Sequence, residues 1–131
     1  MPDYMYISLS LGNTTTPPRE ISAATGIEPS TALLKGERDP VRVLPRSNLW
    51  SIESMKSPQG SLEACWQELE HKLLPRTDIF RHFAAEGSAV LTIAIQGMDG
   101  RIPSIMIPPS MSLFAGTIGA VIDIDHLLSA D

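Results

Sequence analysis

The side chains best suited by type to do chemistry are three carboxylates, Glu53, Asp123 and Asp125. Asp123 and Asp125 stand two apart in the run Val-Ile-Asp-Ile-Asp-His-Leu. On a strand, that spacing points both carboxyl groups to the same side. Such a pair binds a hard cation when other oxygens converge on it, and Glu53 would be the third donor. Crowded carboxylates also push their pKa values apart, which makes an acid and a base from two identical groups. The ordinary role for the same residues is solvated charge on the outer side of an antiparallel sheet. Glu53 stands out because a carboxylate in a central strand has few packing reasons to be there.

The other reactive types give less. Cys65 lies beside Trp66 in a helical pattern, where a free cysteine behaves as a small packing residue. A nucleophilic role would need a base beside it. His71, His82 and His126 have no cysteine or histidine at metal-ligand spacing. Glu68 and His71 form one half of a carboxylate-bridged metal motif whose second half is missing. Gly-Met-Asp-Gly at 97–100 is hairpin chemistry, and the glycines at 116 and 119 fall at a helix end rather than in a phosphate-binding loop. No cofactor and no metal are expected. The stretch from Lys35 to Arg46 carries Lys35, Arg38, Arg42 and Arg46 with Pro40 and Pro45. It reads as a surface loop. Arg38 and Arg42 are its candidate contacts for an anionic or protein partner.

The 131 residues fit one domain, spanning 1–131, and 43% of them are hydrophobic. That length can bury a core without disulfides or metal. The net charge is −5, the pI is near 5.1, and no basic run exists to neutralise phosphates. Nucleic acid is therefore not an expected partner; an acidic surface suits a basic protein partner or simply solubility. One cysteine forms no intramolecular disulfide and fits a reducing compartment. There is no basic-then-apolar leader and no apolar run of membrane-spanning length. A cytoplasmic protein without membrane contact is the expectation.

The elements that must position these residues are organised around 60–95. Leu62, Trp66, Leu69 and Leu73, then Ile79, Phe80 and Phe83 after Pro75, predict one amphipathic helix kinked at the proline, or two helices meeting end to end with Pro75 in the first turn of the second, the continuous phase of the stripe favouring the kink. Ser61 is its expected N-cap and Gly87 its C-terminal stop. Ala89, Leu91, Ile93 and Ile95 then alternate as a strand. Before that unit, Tyr4–Leu11 alternates as a half-buried strand. A short helix begins at the cap Thr16 with Pro17, runs to Thr25 with Ile21 and Ala24 inward, and stops at Gly26. Short strands are expected at 32–35 and 49–55, the latter with Trp50, Ile52 and Ser54 on one side. After it, a hairpin at 97–100 leads to an edge strand at 102–107 containing Pro103. Ser110 caps a last helix with Phe114 and Ile118 inward, and Val121–Leu127 closes the chain as a strand.

The resulting order is β-α-β-β-α-β-β-α-β. It predicts an α+β domain with a mostly antiparallel sheet of five or six strands, helices on one face, and a split-βαβ, ferredoxin-like unit from Leu49 onward. If the apolar sides face the helices, the other sheet face gathers Tyr4, Tyr6, Ser8, Ser51, Glu53, Thr92, Gln96, Ser104, Asp123 and Asp125.

An ordered series of short motifs also resembles a known family. These are Gly26-Ile27-Glu28-Pro29, Lys35-Gly36, Trp50-Ser51-Ile52-Glu53-Ser54, Leu74-Pro75 and Ile122-Asp123-Ile124-Asp125. Together they look like the bacterial Domain of Unknown Function family forty-two seventy-nine, over roughly Met5 to His126. Each motif is short, and only their order is specific. His126 stands where the family's closing aromatic is usual. The resemblance implies a small cytoplasmic bacterial α+β domain with no catalytic residues to carry over. Some similar domains sit near toxin–immunity loci, which would make them toxin neutralisers.

The functional expectation is a non-enzymatic protein-binding module, an immunity or regulatory factor, using Tyr6, Glu53, Asp123, Asp125 and the Arg38/Arg42 loop. The alternatives are a self-associating domain, forming a homodimer, and a small hydrolase-like or metal-binding enzyme built on the clustered carboxylates.

Overall fold

The computed structural model describes residues 4–37, 47–58, 61–97 and 104–127. Strand β1, Tyr4–Gly12, alternates as its sequence predicts: Met5, Ile7, Leu9 and Leu11 are each 0% exposed and the residues between them are half-buried. It is the middle of a five-stranded sheet. Strands β2 (Thr31–Leu33) and β3 (Leu49–Glu53) lie on one side, β4 (Ser88–Gln96) and β5 (Val121–Leu127) on the other, in the order β2-β3-β1-β4-β5. β1 is antiparallel to both β3 and β4, and β2 is antiparallel to β3. β5 runs parallel to β4. The sheet is mixed but mostly antiparallel, and the domain is α+β as expected.

Helices α1 (Pro18–Thr25), α2 (Leu62–Leu73), α3 (Thr77–Glu86) and α4 (Pro109–Ile118) cover one side of it. The core lies between. Trp50 stacks on Phe80 at 5.7 Å between ring centres, Phe80 on Phe114 at 6.2 Å, and Phe114 on Trp66 at 5.9 Å. Tilted and edge-on rings of this kind add about 0.5–1.5 kcal/mol per pair beyond the area they bury. Both indole N–H groups find partners. Trp50 Nε1 donates to Ser22 Oγ at 3.0 Å, and Trp66 Nε1 to Ser110 Oγ at 2.8 Å, which in turn donates to Glu70 at 2.6 Å.

Several helix ends differ from expectation for identifiable reasons. Ser61 does cap α2, accepting from the Ala64 N–H at 3.2 Å. Ser110, however, lies inside α4, because Pro108 occupies the cap position and the Ser110 hydroxyl serves Trp66 instead. Thr16 likewise caps nothing. Its N–H and hydroxyl both bind Glu86 at the end of α3, at 3.1 and 2.9 Å, and α1 starts one residue later than read, at Pro18. Ile21 is buried but Ala24 is exposed. The break at Pro75 takes the form of a 3-10 turn, Leu74–Arg76, between α2 and α3. The apolar stripe keeps its phase across it: Leu69, Leu73, Phe80 and Phe83 are all buried.

The strand expected at 102–107 is a correction. Residues 98–103, on which most of the expected hairpin turn falls, lie outside the described ones, and Ser104–Ile107 pairs with no described strand. Both sides of β4 are taken, by β1 and by β5, so a hairpin partner has no place beside it. Ile105 and Ile107 still pack against the core. The split-βαβ unit survives in another form. β3 and β4 are parallel to each other with β1 between them, so the first strand of the chain fills the slot assigned to 102–107.

Gly87 ends α3, but not as a left-handed cap, since its φ is −155°. Its constraint is space. A Cβ there would lie 2.2 Å from the Gly12 carbonyl oxygen and 2.7 Å from Asn13 backbone atoms. Gly116, inside α4, has nothing within 4 Å of its Cβ position. The two sites therefore respond in opposite directions to the same change. Gly87→Ala should lower the urea-unfolding free energy by about 1–3 kcal/mol through overpacking. Gly116→Ala should raise it by about 0.5–1 kcal/mol through helix propensity.

Candidate functional site: the open face of the sheet

The sheet face away from the helices is built by the other half of the β1 alternation. Pairing across the ladders sets Glu53, Ser8, Thr92 and Asp123 in one row over β3, β1, β4 and β5. The next row holds Tyr6, Ala94 and Asp125, and the one after it Tyr4, Gln96 and Leu127. On the other flank, Ser51 pairs with Ser10, their hydroxyls 3.1 Å apart. The expected gathering of Tyr4, Tyr6, Ser8, Ser51, Glu53, Thr92, Gln96, Asp123 and Asp125 on one face is what the register produces. Ser104, exposed and outside any strand, does not belong to it.

The same register separates the carboxylates. Glu53 and Asp123 sit three strand spacings apart, roughly 14 Å. Among the described residues no group of three His, Cys, Asp or Glu side chains is placed to hold a metal ion. Asp123 and Asp125 are both exposed on the outermost strand. Arg38 and Arg42 lie outside the described residues.

One corner of the face, beside the start of β1, holds a residue that the alternation does not point to. Ser8 pairs with Glu53, and Met5 with Ser57. Between these pairings β1 spends two residues, Tyr6 and Ile7, while the facing segment spends three, Ser54, Met55 and Lys56. That is a β-bulge. The Ser54 hydroxyl accepts the Ile7 N–H at 2.9 Å where the regular ladder is interrupted. The extra residue swings Lys56 onto the open face. Its ammonium lies 4.9 Å from the centre of the Tyr4 ring and 5.9 Å from that of Tyr6. The two rings stack at 6.0 Å with 29° between their planes. A cation over tyrosine faces is attracted by the ring quadrupole at about 0.5–1 kcal/mol in an exposed site. Ser54-Met55-Lys56 at a strand end is a weak bulge signal, so Lys56 is not recoverable from the sequence pattern.

Burial pushes the Tyr6 phenol above its ordinary range, and the charges of Glu53 and Asp125, with Tyr4 beside it, push it the same way. Tyr6 is therefore a hydrogen-bond donor across the physiological range. Cys65 lies beneath the same corner on the helical side. It is fully buried, and burial pushes its thiol up. Its Sγ approaches the Met5 carbonyl oxygen at 3.4 Å, a donor contact rather than a nucleophile's setting.

A family model matches residues 3–129, nearly the whole chain. The chain belongs to the family described as Domain of unknown function (DUF4279). No curated protein and no solved structure matches it. Membership of DUF4279 assigns no activity, so function has to be read from the surfaces. The described surface includes two shallow clefts away from the open face. One, of about 480 Å³, is lined by Pro17, Pro18, Arg19, Glu28, Pro29 and Glu37 among others. The other, of about 430 Å³, is lined by Ser61, Glu63, Ser104, Met106 and Pro109 among others. The first cleft's Ser22 hydroxyl accepts from the Trp50 indole and the second's Ser61 hydroxyl from the Ala64 N–H. No described helix is long and apolar enough to cross a membrane.

The Tyr6 environment has a titration consequence. Glu53→Gln removes one of the charges that raise the phenol and should move its ultraviolet titration downward, leaving the part due to burial. The sign for stability follows. A phenol raised by folding contributes stability that is fully present below the unfolded tyrosine's pKa and is lost as the pH rises through the folded pKa. Alkaline unfolding should therefore begin at higher pH in Tyr6→Phe than in the parent.

Proposed function

We propose that this chain is a non-enzymatic protein-binding module, a cytoplasmic immunity or regulatory factor of a bacterial host, and that the open sheet face is its contact surface. The observation that carries the reading is the Tyr4–Tyr6 stack with Lys56 over both rings, set among serines and threonines and flanked by Glu53 and Asp125. Tyrosine supplies large, amphipathic contact area at low entropic cost, and aromatic residues dominate interface hot spots. The surrounding hydroxyls supply hydrogen bonds at a polar rim. The flanking carboxylates favour a partner whose surface is basic. An enzyme built on the carboxylates is the weaker reading, because Glu53 on β3 and the aspartate pair on β5 have two strands between them.

The test is affinity capture from host lysate with three baits: the parent chain, Tyr6→Ala/Lys56→Ala on the open face, and Arg81→Ala on the exposed side of α3. The proposal expects one stoichiometric partner held by the parent and by Arg81→Ala, with capture reduced about tenfold or more by the double variant. Equal capture by all three baits would overturn it. If the captured species is the chain itself, and the double variant alone is monomeric, the occupant of the face is a second copy.

A further inference from the structure

The sheet has two ends, and they are not alike. β2 is three residues long. β5 is seven, with the sequence Val-Ile-Asp-Ile-Asp-His-Leu, paired with β4 along its whole length and, among the described residues, with no other strand. It carries no proline, no lysine and no bulge, and its charges are the two aspartates, Asp123 and Asp125. Val121 is 64% exposed and Ile124 43%. Such an edge presents a row of backbone donors and acceptors to a further strand.

The side chains say which strand. Asp123 and Asp125 point to the open face and Ile122 and Ile124 to the core side, by their pairing with Thr92, Ala94, Leu91 and Ile93. Among the described residues the single ion pair is His82 with Glu86, so neither aspartate is matched by a cation there. A strand laid alongside puts its own side chains directly opposite these residues on each face. A second copy is the wrong occupant. The antiparallel register that pairs all seven residues, centred on Ile124, sets Asp123 against Asp125 of the copy twice, and like charges directly opposite are destabilising.

We propose that β5 is a strand-addition edge for an extended basic segment of a protein partner, with lysine or arginine at alternate positions opposite Asp123 and Asp125 and an apolar residue between them opposite Ile124. The inference rests on the protein-binding reading and shares the flanking Asp125 with the open face, but it adds the backbone edge of β5 and does not use Tyr6 or Lys56, so the paired variants let either fail alone.

Its test is selection of phage-displayed random octapeptides on the full-length chain, repeated on Asp123→Lys/Asp125→Lys and on Tyr6→Ala/Lys56→Ala. Both aspartates are exposed, so their reversal leaves the core intact, and circular dichroism checks that. The expected result is enrichment of basic–apolar–basic triplets on the parent, with unchanged enrichment on the open-face variant. On the reversed variant these peptides should bind at least about tenfold more weakly, and acidic–apolar–acidic triplets should replace them. No enrichment, or enrichment that survives the reversal, would overturn the edge proposal. Retained selection by the open-face variant, together with its failure to capture the lysate partner, would separate the edge from the face.

Discussion

The sheet depends on the parity of β1. That strand pairs over its full length with β4 and over its C-terminal half with β3, and a side-chain period of two leaves no intermediate setting. Met5, Ile7, Leu9 and Leu11 close the core against α2 and α3. Tyr4, Tyr6, Ser8 and Ser10 are thereby committed to the other side. Slipping the register by one residue would put two tyrosines in the core and four aliphatic side chains in water, at a cost of about 1.5–3 kcal/mol for each aliphatic group. The face that we read as functional is in this sense the obligatory reverse of the core.

The bulge opposite Tyr6 and Ile7 is held from both sides. On the sheet, Ser54 supplies the hydroxyl that replaces a ladder carbonyl, and Ser57 and Met5 exchange both backbone hydrogen bonds beyond it, at 2.7 and 2.9 Å. From behind, α2 reaches the same corner twice. Glu68 accepts from the Met55 N–H at 3.0 and 3.1 Å, and the Cys65 thiol approaches the Met5 carbonyl. A backbone N–H freed by the bulge is thus satisfied by a helix carboxylate, which an interrupted ladder requires. Cys65 and Glu68, which sequence reasoning weighed as possible chemistry, are explained by this clamp. The helix that organises the core also fixes where Lys56 stands on the opposite face.

What was legible in the sequence follows the same division between local and non-local. Alternation in Tyr4–Leu11, Ala89–Ile95 and Val121–Leu127 reports burial on one side, and it located three strands and their faces. The stripe through Leu62, Trp66, Leu69 and Leu73 located the helical stretch and Pro75 located its break, but the unbroken phase favoured one kinked helix where two helices meet through a 3-10 turn. The element at 102–107 was misread because the alternation of Ile105 and Ile107 also suits an extended segment lying on the core. Which strand flanks β4 is decided by a crossover through α4, a non-local fact with no signature in the residues themselves. Thr16 and Ser110 carry the right side chain for a helix cap, yet their hydroxyls are drawn to Glu86 and Trp66, partners 70 and 44 positions away. The face residues were legible because parity carries them. Lys56 was not, since a bulge breaks parity.

The most direct measurement is a nuclear Overhauser spectrum of the isotopically labelled chain, read at Lys56. The account predicts cross-peaks from its side-chain methylenes to the rings of both Tyr4 and Tyr6, with Met5 and Ile7 in contact instead with side chains of α2 and α3. Tyrosine rings in contact with helix side chains, or a Lys56 with no cross-peak to either ring, would contradict it.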